Sequence, residues 1–88
     1  MHSILFVATI SGHKHDWAEF VEIATTKLSQ SEGVVRLAEN VWLLNLQKSV
    51  APLGWLVAVA EQKAVSYGLL PFEHEPEWLP AGFDPSTI

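Results

Sequence analysis

The polar run Gly12-His13-Lys14-His15-Asp16 holds the densest set of chemically able side chains in this sequence. Two imidazoles and a carboxylate can coordinate zinc or another transition metal, and His74 or Glu75 could complete the set. The same His13 and His15, beside Asp16, titrate near neutral pH and could work as general acid or base, with Ser11 close by. Other features weigh against both readings. The His-x-His spacing fits no closed structural zinc site, Lys14 repels a cation, and Asp16 has a structural use as a helix cap. His13, His15 and Asp16 are therefore the candidates for chemistry, while no catalytic residue, metal or cofactor is assigned. A second polar stretch, "FEHEPE", sets Glu73, Glu75 and Glu77 around His74. Paired carboxylates can cleave glycosides, but here they sit on a proline-broken tail. A solvated acidic stretch suited to a basic partner is the simpler reading. Gly12, Gly33, Gly54, Gly68 and Gly82 are too dispersed to cradle a phosphate.

The elements that position these residues follow from hydrophobic periodicity. Residues 3–10, "SILFVATI", are apolar, rich in β-branched side chains and too short for a helix, so they predict a first strand. Asp16 with Glu19 three residues later resembles a capping box. Trp17, Phe20, Val21, Ala24 and Leu28 then form one stripe of a helix over 16–30, stopped by Gly33. "VVRL" at 34–37 predicts a second strand. Glu39-Asn40 is a tight turn without glycine, in which Asn can take the left-handed conformation. "NVWLLNL" returns as the third strand.

Residues 49–64 predict a second helix, capped by Ser49, with Pro52 in its first turn and Leu53, Leu56, Val57, Ala60 and Ala64 on one face. "WLVAVA" within it would also suit a strand. "VSYGLL" at 65–70 predicts the fourth strand, ended by Pro71. Pro76, Pro80 and Pro85 exclude a regular helix beyond it, yet Phe72, Trp78, Leu79 and Phe83 give the tail reason to lie on a surface.

The order β-α-β-β-α-β is the ferredoxin-like α+β arrangement. It implies a four-stranded antiparallel sheet in the order 4-1-3-2, two helices on one face and an irregular C-terminal tail. Residues 1–73 form the domain. Residues 74–88 form a proline-rich aromatic tail that packs on the domain or on a dimer partner. The predicted central strands are the most continuously apolar, so the face without helices is apolar too. Leaving it in water would forgo several kcal/mol at about 25 cal/mol per Å². The expected cover is a second subunit packed sheet to sheet, with the tail folded back as the alternative. The expected interface residues are Trp42, Leu44 and Leu46, or the alternate set, together with Trp78 and Phe83. Trp55 and Val59, opposite the apolar stripe of the second helix, form a further candidate patch.

The run "RLAENVWLLNL", set between two helices and followed by a last strand and an aromatic tail, resembles small ferredoxin-like proteins related to the CRISPR-associated adaptation nuclease and its toxin–antitoxin relatives. The resemblance spans most of residues 3–79, and "LAENVWLLNL" carries it. It implies a homodimer built through the sheets, with C-terminal segments reaching the partner. In members that cleave nucleic acid, an aspartate near the end of the first strand helps bind a metal. The matching position in "FVATIS" is Thr9, which has no anionic oxygen for a hard cation. No catalytic residue carries over.

Composition sets the remaining bounds. Eighty-eight residues make one domain, which buries roughly 60–65% of its unfolded surface. Hydrophobic residues are 49% and charged residues 17%, which is rich for a lone small domain. Net charge is −5, opposite to the balance that grips nucleic acid. Cysteine is absent, there is no secretion signal and no run of membrane-spanning length, so a cytoplasmic protein is expected. Together these features favour a non-enzymatic, homodimeric interaction protein with a protein partner, in a toxin–antitoxin or phage-defence system. The alternatives are a metal-dependent nuclease of the same fold using the His13–Asp16 loop, and a small-ligand sensor.

Overall fold

A computed structural model describes residues 1–9, 14–28, 31–80 and 82–83. The elements run β1 (Ser3–Ala8), α1 (Lys14–Leu28), β2 (Val34–Ala38), β3 (Val41–Asn45), α2 (Ala51–Gln62) and β4 (Tyr67–Phe72). The strands form one antiparallel sheet in the order β2-β3-β1-β4. This is the ferredoxin-like α+β fold, with the most apolar strands, β1 and β3, in the middle.

The pairing Phe6↔Trp42 sets which side chains face the helices. Strand side chains alternate, so Ile4, Phe6 and Ala8 share a face with Trp42 and Leu44. Beneath Trp17, Phe20, Ala24, Leu28, Leu56 and Ala60 of the helices, these residues make the core. Its centre is a relay of aromatic rings. Tyr67 stacks on Phe6 with centroids 5.2 Å apart, Phe6 meets Trp42 edge-on at 5.9 Å, Trp42 meets Phe20 at 5.9 Å, and Phe20 lies 5.5 Å from Trp17. Edge-to-face and offset geometries suit the ring quadrupoles and add to the area buried.

Trp42 and Leu44, expected on the uncovered face, are therefore interior residues, each 1% exposed. The pleat assigns the other face to the alternate set: Leu5, Val7, Val35, Leu43, Leu70 and Phe72. That face is apolar, and the chain's own tail lies over part of it. Pro76, Glu77 and Trp78 border a cleft of about 340 Å³ whose other walls are Leu5, Leu37, Leu43 and Phe72.

Several local expectations change. Helix α1 begins at Lys14, so Asp16 sits in the first turn, where its charge complements the helix dipole. Glu19 does not close a capping box; its Oε2 accepts from Lys63 Nζ and ties α1 to α2. Ser49 is not the cap of α2 either. The helix starts at Ala51, the cap position is Val50 with no side-chain hydrogen bond, and Pro52 occupies the first turn. The β2–β3 turn uses no left-handed Asn40. Arg36 clamps it, donating from Nε to Ala38 O (3.2 Å) and from an Nη to Glu39 O (2.7 Å), with its guanidinium 5.4 Å from the Trp42 ring centroid. A register shift between Arg36 and Ala38 takes up the spare residue. Asn40 instead donates from Nδ2 to Ala8 O at 2.8 Å.

Two backbone positions carry special conformations. Gly33 has φ +76°, and a Cβ there would come within 2.8 Å of the Lys48 Cβ, so only glycine fits. Ala64 has φ +55° and closes α2: Val65 N–H donates to Ala60 O (2.8 Å) and Ala64 N–H to Glu61 O (3.3 Å). That is a Schellman end with alanine where glycine is favoured. Finally, Pro71 does not end β4. It lies within an edge strand, where a missing N–H costs no ladder bond.

Two outcomes follow. Trp42→Ala should lower unfolding free energy by about 3–5 kcal/mol in a urea titration, a loss that a surface tryptophan would not produce. Ala64→Gly should raise it by about 1 kcal/mol, because the left-handed backbone is relieved of its Cβ penalty. An unchanged or lowered urea midpoint would contradict that conformation.

Candidate functional site

The polar run from Gly12 to Asp16 falls largely outside the described residues. His13 lies outside them, as does the side chain of His15. Asp16 is half-buried in the first turn of α1. On the tail, Glu73, His74, Glu75 and Glu77 are all exposed, and Glu73 Oε2 lies 3.6 Å from the N-terminal ammonium. Among the described residues, no three His, Asp or Glu side chains converge to hold a metal ion. Among them, too, no helix is long and apolar enough to cross a membrane.

What the fold does display is apolar surface. Helix α1 has the usual amphipathic build, with exposed Glu22, Thr25, Thr26 and Lys27 opposite its buried stripe. Helix α2 differs. From Ala51 to Ala60 it carries no charged residue, and its exposed positions are Ala51, Gly54, Trp55 and Ala58. Trp55 is 45% exposed. A Cβ at Gly54 would meet nothing within 4 Å. The result is a low, smooth helix surface with a single large ring standing on it.

The other expected contact residues divide. Val59 packs half-buried against the core rather than beside Trp55 on the surface. Leu46 lies just past β3, half-buried, with its N–H donating to His2 O at 2.9 Å. Trp78 is half-buried over the open sheet face, and Phe83, exposed, has its ring 5.4 Å from that of Trp78. Trp78 also borders a second cleft of about 210 Å³, with His2, Ser3, Asn45 and Glu75 among its walls. The Ser3 hydroxyl is buried there and shares a 2.6 Å hydrogen bond with His2 Nδ1. Sequence reasoning missed Leu69 and Leu70 on β4, which are 43% and 54% exposed. A signal was present: "YGLLPF" is an edge strand without a single charge, and edges usually carry one.

Beside β4, the Tyr67 hydroxyl donates to Glu61 Oε1 at 2.9 Å. That hydrogen bond, then partial desolvation and the negative charge of Glu61, raise the Tyr67 pKa above the ordinary 10.0. Because the folded value exceeds the unfolded one, this contribution to stability is present below pH 10 and is lost as pH climbs through the folded value. Tyr67 is the chain's one tyrosine, so phenolate absorbance reports it alone. The native titration midpoint should lie above 10.0 and fall back in Glu61→Ala; identical midpoints in the two proteins would exclude the contact.

No protein-family model matches this chain, and no curated protein or solved structure matches it either.

Proposed function

We propose that this chain is a non-enzymatic interaction protein that works as a homodimer and binds a protein partner through the outer face of α2. One observation carries the reading. About two turns of exposed helix, Ala51, Gly54, Trp55 and Ala58, stand in water without a charged side chain. A surface helix normally turns its polar residues to that side. Small residues let a partner's backbone approach closely, and a lone tryptophan on such ground is the residue type most enriched among binding hot spots. The setting suggested by "LAENVWLLNL", a toxin–antitoxin or phage-defence system, belongs to this proposal, as does a cytoplasmic location.

A second reading, a small-ligand sensor, has its own observation. The cleft of about 340 Å³ between Trp78 and the open sheet face falls in the size range of small-molecule sites and has apolar walls. The nuclease alternative rests on His13, His15 and Asp16 alone.

Affinity capture of the full chain from its source cells, run beside Trp55→Asp, tests the main reading. The wild type should retain a stoichiometric protein that the variant loses, a weakening of at least about 2 kcal/mol. The variant's unfolding midpoint should be unchanged, since Trp55 lies outside the core. Equal retention by both proteins would sink the α2 surface. Metal-dependent cleavage of RNA or DNA that vanishes on replacing His13, His15 and Asp16 with alanine would put the nuclease in its place.

A further inference from the structure

We infer that the free edge of β4 pairs with β4 of a second copy, antiparallel and centred on Leu69, joining two sheets into one. This deepens the homodimer part of the reading above and rests on it, but uses a surface separate from α2.

The ladder fixes which backbone groups are free. Thr9 N–H donates to Ser66 O (2.7 Å), and Ala8 pairs with Tyr67. Ala8 N–H points the other way, to Asn40 O on the β3 side. In an antiparallel pair such groups alternate, so Ser66, Gly68, Leu70 and Phe72 turn their N–H and C=O toward β1. Tyr67, Leu69 and Pro71 turn theirs outward, and among the described residues no strand lies beside β4 on that side. The outward donors are thus the N–H groups of Tyr67 and Leu69, and Pro71 has none to leave unpaired.

A second copy fits this edge better than an unrelated strand because the edge is self-complementary. With a two-fold axis at Leu69, Leu69 N–H donates to Leu69 O of the second copy. Tyr67 N–H donates to Pro71 O of the second copy, and symmetry repeats both bonds. Both outward donors of the strand are then used, with Pro71 supplying its carbonyl and only the Tyr67 carbonyl opposite it left to solvent. The side chains agree with the axis. On the open face Leu70 comes to lie opposite Gly68 of the second copy, and a Cβ at Gly68 would meet nothing within 4 Å. Shifting the axis to Gly68 sets glycine against glycine and shortens the overlap. Shifting it to Leu70 sets leucine against leucine and carries Tyr67 past the end of the strand, opposite Glu73.

Residues 67–72 carry no charge, so the chain's −5 sits off this strand and like charges do not meet across the axis. Pairing would also dry Leu69 and Leu70, two of the exposed large apolar side chains. The flank of α2 beside β4 is apolar as well. Val57 and Leu53 precede Glu61 by one and two helical turns on that flank, and Glu61 itself reaches Tyr67. Edge pairing leaves the tail undisturbed on the open face, where sheet-to-sheet packing would have to displace it.

The absence of cysteine allows a test of register. Gly68 and Leu70 of the second copy form a non-hydrogen-bonded pair with Cα atoms about 4.5 Å apart. Gly68 to Gly68, or Leu70 to Leu70, spans about 8 Å, beyond the reach of a disulfide. Gly68→Cys and Leu70→Cys full-length chains, mixed and mildly oxidised, should form a covalent dimer in at least about tenfold excess over either chain alone. Light scattering of the unmodified protein should give twice the chain mass, and Leu69→Lys should return it to one. Equal cross-linking in all three samples would overturn the register. A dimer by mass without the mixed cross-link, or a single-chain mass at high concentration, would overturn the β4 edge. Trp55→Asp should cross-link as fully as its parent. Loss of the cross-link with partner capture intact would therefore remove the β4 inference alone, and loss of capture with the cross-link intact would remove only the α2 surface.

Discussion

The fold depends on the contact of Phe6 with Trp42 across the two central strands. Once these rings share a face, the two-residue period of a strand decides the rest of the sheet. Helices α1 and α2 must cover that side, because Phe20 and Leu56 have nowhere else to go. The opposite side becomes the surface of Leu5, Leu43 and Leu70. A slip of one residue in either strand would turn that strand's ring to the opposite side of the sheet. The ends of the ring relay are fastened too: Trp17 Nε1–H donates to Glu39 Oε1 (3.2 Å) and the Tyr67 hydroxyl to Glu61. Each outermost ring thereby satisfies its polar atom at the surface while its apolar body stays inside.

Much of this was legible in the residues. The order of elements, the central place of the two greasiest strands and the helical nature of 51–62 follow from periodicity alone. The parity of β3 did not, because "VWLLN" has large apolar side chains on both alternating sets. Only a neighbour's packing can choose between Trp42 and Leu43. Local capping was misread for a related reason. Ser49 and the Asp16–Glu19 pair have the right residue types, but Pro52 fixes where α2 begins, and Lys63 offers Glu19 a partner forty-four residues away. Pro71 misled as a strand end because sequence cannot show that its missing donor faces outward from an edge.

Legibility of the candidate site was more uneven. Trp55 stood out correctly as an exposed ring, since it opposes the apolar stripe. Val59 did not follow it, because a bulky residue at the margin of that stripe tucks against the core. Leu69 and Leu70 look like ordinary strand hydrophobes in the sequence; they become informative only when β4 is seen at an edge. The two proposed contact surfaces are chemically different. One offers flat side-chain area on a helix, and the other offers backbone hydrogen-bonding groups in a fixed order, which carries its own register.

Asn40 has a wider reach than its place in a tight turn suggests. Its side-chain amide and its carbonyl both hold Ala8, so the tip of the β2–β3 hairpin and the far end of β1 travel as one body. A residue near the middle of the chain thus fastens the C-terminal end of the first strand, and the hairpin is joined to that strand by a side chain as well as by the ladder.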